Sequence, residues 1–332
     1  MAFPNVTDIV ATTIESRSRK IEDNVLNNNA GLAYIKSKGN VKTVSGGRVI
    51  FEELSFAENA NAGWYSGYDL LPVAAQDVLS AAEFVLKQCA VPVTISGLEQ
   101  LQNAGREQMI DLLDSRVTVA ESTMANMVAN GFYSDGTGSG GKEIVGLDAA
   151  VPLGAATGRV ATGIYGNIDR ASWGFWQPYT LRGTTSTAAN IQQQWNSIWA
   201  QLVRGRDRPD LIIVDSGLWA IYMASLQALQ RFTDPSKAKL GFPTVQYMDA
   251  DVVLDGGLYF PSSAWGPGMT LNTAMFLNTK FLKWRPHSSR NMVSLSPSRR
   301  YAVNQDAEVT ILAFAGALTC SGQAFQGRHL GT

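Results

Sequence analysis

The stretch from Arg106 to Asn130 constrains this chain more than any other. Met109, Leu113, Val117, Ala120, Met124, Met127 and Val128 recur at steps of three and four, which lays an apolar stripe along one side of a helix of about 25 residues. Asp111, Asp114, Arg116 and Glu121 occupy its other sides. Asn103 stands where an N-cap belongs, and Asn130-Gly131 supplies residues that tolerate a left-handed C-terminal turn. At about 1.5 Å per residue the rod is about 37 Å long, the width of a domain. A rod of that length is a spine, and other elements must pack along it.

Residues 1–40, before the spine, read as two helices outside any obvious core. The first carries a stripe of Val6, Ile9, Val10, Thr13, Ile14, Ile21 and Val25; in the second, Asn29 caps a run through Ile35 that stops at Gly39. This arm must pack on the rest of the subunit or on a neighbour. From Val41 the period changes to two. Lys42–Val44, a Ser45-Gly46-Gly47 turn and Arg48–Phe56 read as hairpin strands, and Gly63–Tyr68 reads as a returning strand. Neither strand shows a clean buried face, so the hairpin is expected to extend away from the core. Glu83–Ile95 reads as one further strand, with Pro92 marking an edge or a bulge. Ser96-Gly97-Leu98-Glu99 is a capping box.

Beyond the spine, Asp135–Gly141 is a Gly/Ser loop, followed by about 50 irregular, aromatic residues. Helices at Ile191–Val203 and Ser216–Leu229 alternate with strands at Leu211–Val214, around Val245 and Tyr247, and at Val252–Leu254; this predicts a compact α/β unit over 189–262. Strands return at Ala274–Trp284, Tyr301–Val303 and Glu308–Thr319.

The chain has 332 residues, enough to bury a large core in one or two domains. Its formal net charge of −1 gives no bulk attraction to nucleic acid or to an anionic membrane. Charged residues make up 17%, below the ~25% of an ordinary soluble domain, which suits a surface that rests against copies of itself. Cys89 and Cys320 lie in apolar strand-like runs and read as buried reduced thiols. The N-terminus has no apolar signal core, and the longest apolar run, Val309–Cys320, is too short to cross a bilayer, so a cytosolic site of synthesis is expected.

Four chemistries are tested by these residues. Gly136, Gly141 and Lys142, with Leu211–Asp215 as an apolar strand ending in an acid, approach the P-loop pattern of an ATPase. A phosphate cradle needs a strand before the loop and a helix after it, whereas here a helix precedes and Ile144-Val145 follows; Glu143 stands where the Mg²⁺-binding hydroxyl belongs. A Ser or Cys triad has only His287 and the near-terminal His329 to use; Ser216 reads better as an N-cap than as a nucleophile, and His287 as a loop residue. No His/Cys/carboxylate cluster has metal-ligand spacing. Arg204, Arg206 and Arg208 form a charged turn, solvated or at a subunit contact rather than reading DNA. No catalytic, cofactor or metal residue is therefore assigned.

The order of several phrases resembles the major capsid proteins of tailed bacteriophages with the Hong Kong 97-type fold. They are Gly46-Gly47-Arg48 leading to Glu52 and Leu54; Asn103-Ala104-Gly105; Tyr133-Ser134-Asp135-Gly136; Gly163–Arg170 with Trp176; Pro209-Asp210-Leu211-Ile212; Gln230–Asp234; Phe276–Lys280; and Tyr301–Ala307. The resemblance spans nearly the whole chain and implies an α+β Hong Kong 97-like subunit. Its parts would be an N-terminal arm (1–40), an extended loop (41–80), a peripheral domain (81–188 and 263–332) containing the spine helix 106–130, and an α/β axial domain (189–262). Hexamers and pentamers would close into an icosahedral shell around packaged double-stranded DNA, assembled in a bacterial cytoplasm and ending in the virion. A nanocompartment shell of the same fold, holding protein cargo, is the alternative; a P-loop enzyme is the alternative from another class.

Two departures from the family pattern carry expectations. Some members cross-link through a lysine on the extended loop, but no lysine lies between Val44 and Lys87, so no covalent mesh through that loop is expected; apolar contacts or a cement protein would stabilise the shell. Other members carry an N-terminal scaffolding segment of domain size, for which 40 residues are too few, so a separate scaffolding protein and a portal are the expected partners.

Overall fold

The computed structural model describes residues 29–98, 106–226, 244–255, 269–295, 300–301 and 307–331. Asn29 accepts a hydrogen bond from the Leu32 amide at 3.0 Å, and this cap starts helix α1, Ala30–Ser37, which stops before Gly39 (φ 72°) as the sequence predicts. The expectation that this helix lies outside a core is overturned: Ala30 to Ile35 are all buried. Of the two possible supports for the arm, this part uses its own subunit. Gly31 permits the contact, since a Cβ there would stand 2.7 Å from Phe132 Cε1 and 2.8 Å from Ile213 Cδ1.

The expected hairpin is also corrected. Val41 and Val44 bridge to Trp284 and His287, so Lys42–Val44 pairs elsewhere. Strand β1, Ile50–Ser55, pairs antiparallel with β2, Leu79–Phe84, and no strand forms at Gly63–Tyr68. β1 has a clean buried face, Ile50, Glu52 and Leu54; a charged residue at its centre disguised the period of two. The single strand expected at Glu83–Ile95 breaks after Phe84, where the chain leaves β1 and enters β3, Lys87–Ser96, which pairs with a different sheet.

The spine, α2, runs Arg106–Tyr133, three residues past the expected end. Gly131 sits inside it, and its role is close approach: a Cβ there would lie 3.2 Å from Ile144 Cδ1. The turn that needs a left-handed residue comes later, at Gly136 (φ 80°). Val117, Ala120, Met124, Val128 and Phe132 form the buried stripe, whereas Met127 is 41% exposed and does not belong to it. The expected cap at Asn103 and the Glu99 of the capping box lie outside the described residues.

Short strands β4 (Gly158–Arg159), β5 (Ile164–Tyr165), β6 (Ile168–Asp169) and the longer β7 (Tyr179–Thr184) follow. Next come α3 (Ile191–Leu202), β8 (Leu211–Val214), α4 (Ser216–Leu226), β9 (Thr244–Tyr247) and β10 (Ala250–Leu254), close to the alternation expected. The remainder is β11 (Thr273–Leu277), β12 (Leu282–Pro286), β13 (Val293–Ser294), β14 (Arg300–Tyr301), β15 (Ala307–Cys320) and β16 (Gly327–Gly331). The strand expected at Ala274–Trp284 is thus two. A turn at Thr279–Phe281 divides them and passes the chain from one sheet to the other.

One sheet has seven strands in the order β4-β7-β16-β11-β8-β10-β9. It extends beyond 189–262, because β4, β7, β11 and β16 come from outside those limits. In the other, β15 is central: β3 pairs along one side, and β12, β13 and β14 share the other. β8 is buried on both faces. Ile212 and Val214 join a core under α3 and α4 built around Trp195, while Leu211 and Ile213 join the larger core that holds α1, the spine and Trp284. α1 is therefore the wedge between sheets.

Candidate assembly surfaces

The extended loop is built from a firm root and an uncovered tip. At the root, Ile50, Glu52 and Leu54 of β1 and Ala82 and Phe84 of β2 share the inward side. Glu52 is only 4% exposed. Its carboxylate accepts from Lys283 Nζ at 2.6 Å, from Arg285 Nε at 3.0 Å and from Thr319 Oγ1 at 2.9 Å, with Arg285 Nη2 also donating to it. Period two on β12 explains the match, since Leu282, Trp284 and Pro286 face the core and Lys283 and Arg285 the loop. Burial pushes the Glu52 carboxyl up, but its two cations and the Thr319 hydroxyl outweigh burial and hold it below the usual glutamate range.

The Gly163–Arg170 phrase forms the second half of the root. β5 and β6 are joined by Gly166 and Asn167, both at positive φ (58° and 61°), as a two-residue hairpin turn requires. Gly166 also lies where a Cβ would meet Ala82 Cβ at 2.9 Å, and its carbonyl accepts from the Glu83 amide at 2.9 Å. Phe84 meets Tyr165 edge-on at 5.2 Å, and Trp176 Nε1 donates to the Tyr165 carbonyl at 2.9 Å. Arg170, buried, donates to Gln323 Oε1 and the Ala149 carbonyl.

Phe56 still packs edge-on against Trp173 at 5.4 Å, and beyond it the subunit gives the loop's large apolar side chains little cover. Trp64 and Tyr68 are fully exposed, Leu70 and Val73 nearly so, and Tyr65 and Leu71 more than half. An exposed apolar stretch of this kind is larger than the scattered apolar residues a surface ordinarily shows.

Two other phrases from the sequence meet in space. Thr279 donates to Asp210, from its amide to Oδ1 at 2.7 Å and from Oγ1 to Oδ2 at 2.5 Å, which joins Pro209–Ile212 to Phe276–Lys280. Gln230–Asp234 and most of Tyr301–Ala307 lie outside the described residues.

The residues weighed for chemistry are placed as follows. The Gly136–Lys142 loop leaves the end of the spine with no strand before it. Glu143 fills it: Ser134 Oγ donates to its carboxylate at 2.8 Å, Ser139 Oγ at 3.3 Å, and a Cβ on Gly138 would stand 2.3 Å from its oxygen. A carboxylate thus holds the space a phosphate would need. Asp215 accepts from the Gly217, Leu218 and Asn272 amides at 3.1, 3.1 and 2.8 Å, so it, and not Ser216, caps α4. His287 lies just after β12 and its Nδ1 accepts from the Ser289 amide.

His329, missed as a core residue, is fully buried on β16. Trp195 Nε1 donates to its Nδ1 at 3.3 Å, and Ser186 Oγ lies 3.4 Å from its Nε2. With an indole where a triad would place a carboxylate, the pair is a packing contact. Burial holds this imidazole down at about 4, so it is neutral at pH 7. Cys89 and Cys320 are free thiols, and burial pushes them up to about 11 and about 12. Among the described residues no group of three metal-ligating side chains occurs, and no helix is long and apolar enough to cross a membrane.

No protein-family model matches the chain, and no curated protein matches it. Solved structures do. A subunit of the cyanophage A-1(L) capsid asymmetric unit is similar at a TM-score of 0.59 and 14% identity, over 88% of this chain and 90% of that one. The capsid of the native GTA particle gives 0.56 and 12%, over 90% of both chains. A chain of Mycobacterium phage Ogopogo gives 0.51 and 10%, over 88% and 90%. At such identities the likeness speaks for architecture, and the architecture of this chain is the α+β, Hong Kong 97-like fold of phage capsid subunits.

Proposed function

We propose that this chain is a major capsid protein, a structural subunit that assembles through hexamers and pentamers into an icosahedral shell around double-stranded DNA. The observation that carries the reading is the pairing of that fold, matched over about nine-tenths of both chains, with a loop whose large apolar side chains the subunit leaves uncovered. In this reading the chain before α1 acts as the arm, and the uncovered tip of the 41–80 loop, whose root is held by its own subunit, lies over a neighbouring subunit. Residues 189–262 meet at capsomer centres, and 81–188 with 263–332 form the peripheral part. Many modest interfaces closed by symmetry make loss of any one subunit improbable.

A scaffolding protein, a portal and a cement protein are the proposed partners, and the virion is the proposed location. Light scattering on a sizing column and negative-stain microscopy, with and without co-expressed neighbouring genes, test this. Particles or capsomer rings of megadalton mass are expected; a 35.8 kDa monomer under every condition overturns the reading. With no lysine between Val44 and Lys87, mature shells are expected to run as monomers on denaturing gels, and a covalent ladder would overturn that expectation.

A further inference from the structure

Three segments distant in sequence, each carrying exposed cations, meet at the joint between the two cores. Lys38 and Lys42 stand exposed where the chain leaves α1. Between α3 and β8 the chain reverses in a turn closed by the Arg204 amide on the Asp207 carbonyl at 2.9 Å and the reciprocal bond at 3.0 Å. Gly205 (φ 61°) makes that reversal possible and leaves Arg204 and Arg206 exposed. Lys280 follows β11, also exposed. Contacts tie the segments together: Asn40 Nδ2 donates to the Thr279 carbonyl at 2.7 Å, the Tyr34 hydroxyl donates to the Asp210 carbonyl at 3.0 Å, and the Lys38 ammonium lies 5.1 Å from the Tyr34 ring centre.

The carboxylates of the region are already engaged. Asp251 is buried against the Tyr34 hydroxyl, Asp210 is held by Thr279, Asp207 pairs with Lys280 at 2.7 Å, and Asp249 pairs with Arg208 at 2.8 Å. Among the described residues no carboxylate pairs with Lys38, Lys42, Arg204 or Arg206. Burial first, and the Arg204 guanidinium second, hold Arg159 below the usual arginine range, so Arg159 of β4 is a further cation beside Arg204. A net charge of −1 conceals this seam.

We propose that the seam formed by Lys38, Lys42, Arg204 and Arg206 binds the phosphate backbone of double-stranded DNA irrespective of sequence. It thereby marks the face that the subunit turns to a packaged genome. The source of the DNA rests on the shell reading; the chemistry of the seam does not. Cations spread over separate segments suit a polyanion that repeats its charge about every 1.7 Å and can be met in any register. An acidic protein segment would need apolar anchors among the charges, and among the described residues these three segments expose no large apolar side chain.

The test is fluorescence anisotropy of a labelled 30-base-pair duplex of random sequence, titrated with the full chain over a salt series. Arg204→Ser/Arg206→Ser is compared with Arg48→Ser/Lys142→Ser, which removes the same charge from exposed sites elsewhere. The seam pair is expected to flatten the log affinity against log salt slope by about 1.8, and the control pair to leave it unchanged. Equal effects of the two pairs overturn the proposal, as does tighter binding of poly-aspartate than of the duplex. Particle formation is scored separately by light scattering. Particles with an unaltered salt slope in the seam variant would sink the seam alone, and seam-dependent DNA binding without particles would sink the shell alone.

Discussion

Lys283 Nζ donates to Glu52 Oε2 at 2.6 Å across 231 residues of sequence, and this bond fixes the root of the extended loop to β12. Glu52→Ala leaves Lys283 and Arg285 facing each other in a mostly buried site, and the subunit is expected to lose about 3 kcal/mol, read as a lower urea midpoint. The carboxyl is held below its unfolded value, so its contribution is fully present above pH ~4.5 and is lost as pH falls through the folded value. An unchanged midpoint for Glu52→Ala would remove the lock from this account.

His329 sets a second acid-sensitive term in a higher window. Its folded value near 4 lies below the unfolded value of about 6.5, so the stability it contributes is complete above pH 6.5 and declines as pH falls towards 4. The loss between pH 7 and pH 5 is expected to be about 2 kcal/mol. His329→Gln should abolish that part of the slope; urea midpoints of both proteins at the two pH values decide it, and parallel slopes would count against the buried neutral imidazole.

Pro92 guards the outer edge of β3. It stands opposite Ile311, whose carbonyl accepts from Leu295 on the far side of β15, so the 92–311 pair is not hydrogen-bonded and the proline nitrogen faces away from the sheet. Arg116 Nη1 covers the next outward carbonyl, Thr94. Pro92→Thr restores a donor on that edge and is expected to raise aggregation on concentration by light scattering while leaving the urea midpoint within about 0.5 kcal/mol. Unchanged aggregation would mean that the edge is protected otherwise.

The loop tip separates folding from assembly. Trp64, Tyr68 and Leu70 touch little in their own subunit, so Trp64→Ser, Tyr68→Ser and Leu70→Ser together should leave its stability within about 0.5 kcal/mol per site. Particle yield, counted by microscopy after gradient sedimentation, should fall to background. Normal particle yield would place the intersubunit contact elsewhere.

What this chain determined by sequence alone are the elements whose side chains answer to local rules. The spine is legible because its stripe repeats at helical spacing, α1 because Asn29 and Gly39 bracket it, and β8 because four consecutive apolar residues suit a strand buried on both faces. The order of short phrases was enough to indicate the fold, and the filled Gly136–Lys142 loop agrees with its place as the exit of the spine.

Tertiary structure decided what depends on partners far away in sequence. Whether Glu52 faces solvent or core turns on Lys283 and Arg285, so the buried face of β1 had no local signature. Whether α1 is an arm or a wedge turns on Phe132 and Ile213 closing against Gly31. The membership of β7 and β16 in the seven-stranded sheet rests on backbone pairing, which any sequence can supply and which Gly327 and Gly331 leave without a side-chain pattern. The basic seam is likewise a product of folding, since its cations lie in segments that only the joint between the two sheets brings together.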